Sequence, residues 1–140
     1  MEIERKYTVK QIPGDLNRYE NKKIIQAYLN REPVVRVRSS NDKYCMTYKG
    51  KGMIEREEYN LDLTKEAFEH LLAKADGKVI SKTRYLIPLD NPVFKDGYIP
   101  SYDLKLCVEL DIFDEPLAPL MIAEVEFPDR ESAEIGRAHV

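Results

Sequence analysis

Charged residues recur at every second position in seven separate stretches of this chain, and that alternation constrains the fold more than any other feature. The first stretch, Glu2-Ile3-Glu4-Arg5-Lys6-Tyr7-Thr8-Val9, shows the pattern. In a strand, successive side chains point to opposite faces, so Glu2, Glu4, Lys6 and Thr8 share one face and Ile3, Tyr7 and Val9 the other. The pattern returns as Arg36 and Arg38 beside Val35 and Val37, as Thr47 and Lys49, and as Arg56, Glu58 and Asn60 beside Tyr59 and Leu61. It returns again as Lys82 and Arg84 beside Thr83 and Tyr85, as Glu109 and Asp111 among Val108, Leu110 and Ile112, and as Glu124 and Glu126 beside Val125 and Phe127.

Turn signals bound these stretches: Pro13-Gly14-Asp15, Glu32-Pro33, Asn41-Asp42 and Gly50-Lys51-Gly52. Strands are expected over residues 2–9, 24–29, 34–39, 43–49, 54–63, 78–87, 104–113 and 120–127, with Pro88 closing the sixth. Thr64 is placed to cap one helix, in which Phe68, Leu71, Leu72 and Ala75 recur at helical spacing up to Gly77. Residues 90–101 hold Pro92, Gly97 and Pro100 and read as a loop. Eight strands and one main helix predict an all-β to α+β domain. Hairpin-length connections suit a closed eight-stranded antiparallel barrel without exposed edges, the helix packed outside.

The length of 140 residues fits a single domain with its own core. The charged fraction, 34%, exceeds the ~25% usual for globular chains, so the destination of the charges matters. With 22 basic and 25 acidic residues the net charge is −3, which argues against a nucleic-acid partner held by bulk charge. Cys45 and Cys107 lack metal-ligand spacing and read as buried free thiols, pointing to a reducing compartment. No apolar run approaches the ~20 residues of a membrane span, and the chain opens directly on a charged strand. A cytoplasmic protein with no membrane partner is expected.

The signs segregate by strand. The third, fourth and sixth are basic, the seventh and eighth acidic, and the first and fifth mixed. A solvated face would intersperse them. If the barrel closes with this face inward, a wall of Arg and Lys offers forked donors to several phosphates. The Glu and Asp residues offer oxygen ligands to Mg²⁺ or Mn²⁺. Familiar phosphate loops are missing: there is no GxxxxGK[ST] and no GxGxxG. His70, on the helix, and His139, near the end, are poor catalytic candidates.

Glu2-Ile3-Glu4-Arg5-Lys6 resembles the ExExK signature of the CYTH domain, also called the triphosphate tunnel metalloenzymes. The similarity continues in order through Gln26-Ala27-Tyr28-Leu29, Val35-Arg36-Val37-Arg38, Thr47-Tyr48-Lys49-Gly50 and Arg56-Glu57-Glu58-Tyr59. It then runs through Lys82-Thr83-Arg84-Tyr85, Glu109-Leu110-Asp111-Ile112-Phe113 and Glu124-Val125-Glu126-Phe127. The resemblance implies a barrel whose lumen holds a triphosphate. Members hydrolyse inorganic tripolyphosphate, thiamine triphosphate or nucleoside triphosphates, or cyclise ATP. Carried over, Arg36, Arg38, Lys49, Arg56, Lys82 and Arg84 would bind phosphate. Glu2, Glu4, Glu109, Asp111, Glu124 and Glu126 would hold the metal, Mg²⁺ or Mn²⁺, with Glu58 contributing. Lys6, Glu4 and Glu58 would serve catalysis, Lys6 either on phosphate or on the attacking water.

Asn60 stands where many relatives carry an acid. Residues 134–140 match nothing in the family, so the domain is expected over residues 1–133, truncated at its C-terminal end, with an artefactual tail. The leading expectation is metal-dependent hydrolysis of a small-molecule triphosphate, tripolyphosphate first, by a chain that can pair as a homodimer. The alternatives are an adenylate cyclase of the same family and a non-catalytic polyphosphate-binding module.

Overall fold

In the computed structural model, which describes residues 3–12, 14–52, 56–89 and 106–127, the alternating stretches are strands. They are β1 (Ile3–Thr8), β2 (Glu20–Asn30), β3 (Val34–Ser40), β4 (Lys43–Lys49), β5 (Glu58–Leu63), β6 (Ile80–Leu89), β7 (Leu106–Phe113) and β8 (Met121–Phe127). One α-helix, α1 (Lys65–Leu72), follows β5, and a 3-10 turn, Leu16–Arg18, precedes β2. The strands lie in one sheet in the order β1-β8-β7-β6-β2-β3-β4-β5. This is the expected eight-stranded antiparallel sheet with one helix. Its order begins at β1 and ends at β5, and no pairing among the described residues joins those ends, so the closed barrel is not part of the observed fold. The expected loop at 90–101, the tail at 134–140, Glu2 and the expected start of the fifth strand at 54–55 lie outside the described residues.

The chain divides into two compact units, one from Met1–Asn21, Arg84–Ile112 and Ala118–Val140, the other from Lys22–Thr83 and Phe113–Leu117. Because the segments interleave, no linker marks the division in the sequence.

In the first unit, β8 pairs with β1 and with β7, both antiparallel. Register puts residues that face each other across a pair on the same side of the sheet. One side therefore carries Tyr7, Val108, Leu110, Ala123, Val125 and Phe127. These side chains form the core with Leu16 and Leu106, and Val108 and Val125 are fully buried. Burying each large apolar side chain contributes about 2 kcal/mol, which fixes the register, since a slip by one residue would turn the core outward.

In the second unit, β2, β3, β4 and β5 pair in sequence order. The two-residue turn Asn41-Asp42 joins β3 to β4, with Ser40 facing Lys43. Asn41 takes a positive φ of 52°, which Asn tolerates better than most residues. Its side chain accepts from the backbone N–H of Lys23 at 2.9 Å, so the turn is tied to β2. Thr64 caps α1 by accepting from the N–H of Ala67 at 3.1 Å. Phe68 is buried and meets Tyr44 with ring centres 5.4 Å apart, seating the helix on β3 and β4. Asp114 accepts from Lys23 and Ser81, and the Lys23 hydrogen bond holds its carboxyl below the ordinary range.

Four expectations need correction. The helix ends at Leu72, not near Gly77, because the N–H groups of Lys74 and Ala75 turn back to Leu71 and Leu72. The Asp76 N–H is meanwhile bonded to Tyr28 on β2. The fifth strand begins at Glu58, and Arg56 and Glu57 are not strand. The sixth strand runs through Pro88 to Leu89 instead of closing before it. The two thiols are not core: Cys45 is half-buried and Cys107 exposed. Each sits at a charged-side position, Cys45 in step with Thr47 and Lys49, Cys107 in step with Glu109 and Asp111.

Candidate functional site

The side of the first unit opposite its core is acidic by register. Glu4 faces Glu126, Lys6 faces Glu124, and Glu124 faces Glu109 on its other flank. Like charges directly opposed across strands destabilise a sheet, by up to about 1 kcal/mol each. Lys6 answers part of this, its Nζ standing 3.6 Å from Glu4 and 3.8 Å from Glu124. Burial pushes the Glu124 carboxyl above its ordinary value of 4.5, and the nearby Glu4 charge adds to the rise.

Deeper on this side, Arg84 grips Asp111 with a fork: Nε to Oδ1 at 2.8 Å and a terminal nitrogen to Oδ2 at 3.0 Å. Its other terminal nitrogen reaches Glu109 at 3.0 Å. Asp111 is only 1% exposed, so this ion pair is screened little by water. The hydrogen bond to Asp111 holds the Arg84 guanidinium still further above its already high range.

Among the described residues no three acidic, His or Cys side chains form a ready-made metal centre, and Glu2 lies outside them. The donor set nevertheless fits a hard cation. Glu4, Glu124, Glu109 and Glu126 are carboxylates opposed to one another and answered only in part by Lys6 and Arg84, and such a surface gains from a divalent ion.

Metal-free, the protein should lose stability as pH rises from about 4.5 through the raised value of Glu124. The folded state holds that proton more tightly than the unfolded chain does. Glu124→Gln should flatten this decline, read by chemical denaturation across pH in the presence of chelator.

The second unit carries a basic side. Arg36 faces Thr47 and Arg38 faces Cys45, while Lys49 faces Glu58 and Thr47 faces Asn60, so all of these share one side. Arg38 is oriented by donating from Nε to Gln26 Oε1 at 2.9 Å. Asn60 accepts from the Thr47 hydroxyl at 2.6 Å. Among the described residues, the buried Nε of Arg36 has no hydrogen-bond partner. A buried donor left unmet costs about 1–3 kcal/mol, so this atom marks a place where an acceptor belongs. Arg56 donates from Nε to the Gly50 carbonyl at 3.1 Å. Lys82 is buried, its Nζ 5.3 Å from the centre of the Phe113 ring.

The alternation thus brings Glu4, Lys6, Glu124, Glu126, Glu109, Asp111 and Arg84 to one side in the first unit. It brings Arg36, Arg38, Lys49 and Glu58 to one side in the second. It misses Gln26 and Tyr28, which face Arg38 and Arg36 from β2. Neither is charged, so a search for charges passes over them. Their position two apart in the same register was the available signal.

A family profile described as CYTH domain matches residues 1–112. A curated relative from Nitrosomonas europaea, an inorganic triphosphatase, is 34% identical over 137 residues, covering 95% of this chain and 80% of the relative. A crystal structure of an inorganic triphosphatase superposes with a TM-score of 0.67 at 30% identity, covering 96% of this chain and 78% of that one. A crystal structure of a putative adenylate cyclase from Bacillus halodurans gives a TM-score of 0.53 at 16% identity over 96% of this chain and 84% of its own, a likeness of fold alone.

Proposed function

The chain belongs to the CYTH domain family, and from that premise we propose that it hydrolyses inorganic tripolyphosphate with the help of a divalent metal. The observation that carries the reading is the buried, unmatched Nε of Arg36, on the same side as Arg38 and Lys49. A phosphate oxygen is the acceptor that such a guanidinium fits. The named activity of the Nitrosomonas relative supports the same substrate.

In this proposal the basic residues address the phosphates of a triphosphate and the acidic residues its metal. Arg36, Arg38, Lys49, Arg56, Lys82 and Arg84 bind and orient the phosphates. Glu2, Glu4, Glu109, Asp111, Glu124 and Glu126 would hold Mg²⁺ or Mn²⁺, which neutralises phosphate charge when bound. Water adds to the terminal phosphorus as the anhydride bond to the middle phosphate breaks, giving phosphate and pyrophosphate. Glu4 and Glu58 polarise that water, one of them taking the single proton it releases, and Lys6 steadies the reacting end.

Phosphate release from tripolyphosphate with Mg²⁺ or Mn²⁺ tests this, with equal amounts of phosphate and pyrophosphate expected. Chelator should stop the reaction and added metal restore it. Tight tripolyphosphate binding without release would select the binding-module reading. Cyclic AMP formed from ATP would select the cyclase.

A further inference from the structure

One cavity of the second unit extends past the residues placed on the triphosphate above. It has a volume of about 380 Å³ and opens between the β2–β3 and β4–β5 turns. Among the described residues, four cations line it, Arg31, Lys49, Lys51 and Arg56, against one carboxylate, Glu32. Lys49 and Arg56 belong to the phosphate wall proposed above, whereas Arg31 and Lys51 lie on the turns beyond it.

The cavity is held by its surroundings. Arg56 is fixed on the Gly50 carbonyl, and the Gly50 N–H returns to the Glu57 carbonyl at 2.8 Å. Arg31 lies against Gly77, where a Cβ would come within 3.4 Å of its terminal nitrogen. The neighbouring Asp76 N–H is bonded to Tyr28, so the turn beneath Arg31 is anchored to β2. Lys51 is drawn toward Glu32 at 3.7 Å, both side chains largely exposed.

We infer that this cavity is a subsite for the further phosphates of a linear inorganic polyphosphate longer than three units. The inference rests on the proposed triphosphate site, because it needs a chain leaving that site past Lys49 and Arg56. A fourth phosphate then meets Arg31 and Lys51, which a tripolyphosphate is too short to need. A nucleoside in the same place brings no charge for these two cations. Glu32 opposes the added phosphate and competes for Lys51.

The test compares tripolyphosphate, tetrapolyphosphate, a longer linear polyphosphate and ATP in turnover and in calorimetric binding to the metal-free chain. In Arg31→Ala/Lys51→Ala the KM and Kd for the two longer chains should rise about tenfold, while those for tripolyphosphate and ATP stay within twofold. Glu32→Gln should move the longer chains the other way, by about threefold, and its opposite sign separates a charge effect from damage to the fold. Equal losses for all four ligands, or no loss for the longer chains, would overturn the subsite. Absence of turnover with normal, chain-length-dependent binding would overturn the hydrolase reading and leave the subsite standing.

Discussion

Arg36→Ala should lower kcat/KM for tripolyphosphate at least a hundredfold while leaving the protein folded. A charge-assisted phosphate contact is worth about 3 kcal/mol, roughly two decades of rate if it is fully used in the transition state. The folded state has little to lose. The Arg36 Nε is already an unmet buried donor, and its removal offsets the packing lost with the side-chain stem. The urea midpoint should therefore shift by less than about 1 kcal/mol of stability. Arg36→Lys keeps the charge but not the fork, and should recover only part of the rate. If Arg36→Ala unfolds the protein and activity simply follows stability, the residue is a packing element and the phosphate assignment fails.

Arg84→Ala should behave in the opposite way. Here each of the three nitrogens already meets a carboxylate, with a two-pronged grip on one that is 1% exposed and a third contact to Glu109. Removing one member of a buried ion pair costs about 3 kcal/mol, because the remaining charge stays in a poor solvent. Thermal unfolding should come about 10 °C lower. Replacing both partners, as in Arg84→Met/Asp111→Leu, should recover most of that stability, since an apolar pair of similar volume needs no desolvation. Activity should stay lost in the double variant. A single variant as stable as the parent would show that the pair is not the structural element its geometry implies.

The contrast between these two arginines was not legible in the sequence. Arg36 and Arg84 sit in the same alternating grammar, which predicts phosphate for both. What separates them is the partner: Thr47 faces Arg36 across β3 and β4, whereas Arg84 meets Asp111, 27 residues on in the chain. Alternation reports which side of a strand a residue takes, not what lies across from it. Within that limit it was a good guide. The opposition of Glu124 and Glu126 to Val125 and Phe127 followed from spacing alone, and register and burial agree with it.

The same rule, followed strictly, moves Cys45 and Cys107 off the core side, where a general expectation about thiols puts them. The helix end was hidden for a different reason. Ala75 continues the apolar spacing, but the chain turns off at Leu72 because the Asp76 N–H is claimed by Tyr28, a contact distant in sequence. Alternation does not choose between a closed barrel and the open order β1 to β5, since hairpin-length turns are consistent with both.

The opposed glutamates of β1, β7 and β8 bear on how this protein would respond to laboratory evolution. Selection for heat resistance alone should drift toward amides at positions 4, 124 and 126, because neutral Gln relieves the repulsion without changing shape and leaves the Arg84–Glu109 contact in place. Under the proposed function, such a lineage would grow hardier as it lost its hold on divalent ions. Persistence of the three acids under that pressure would instead mean that they contribute to folding by a route the strand register does not reveal.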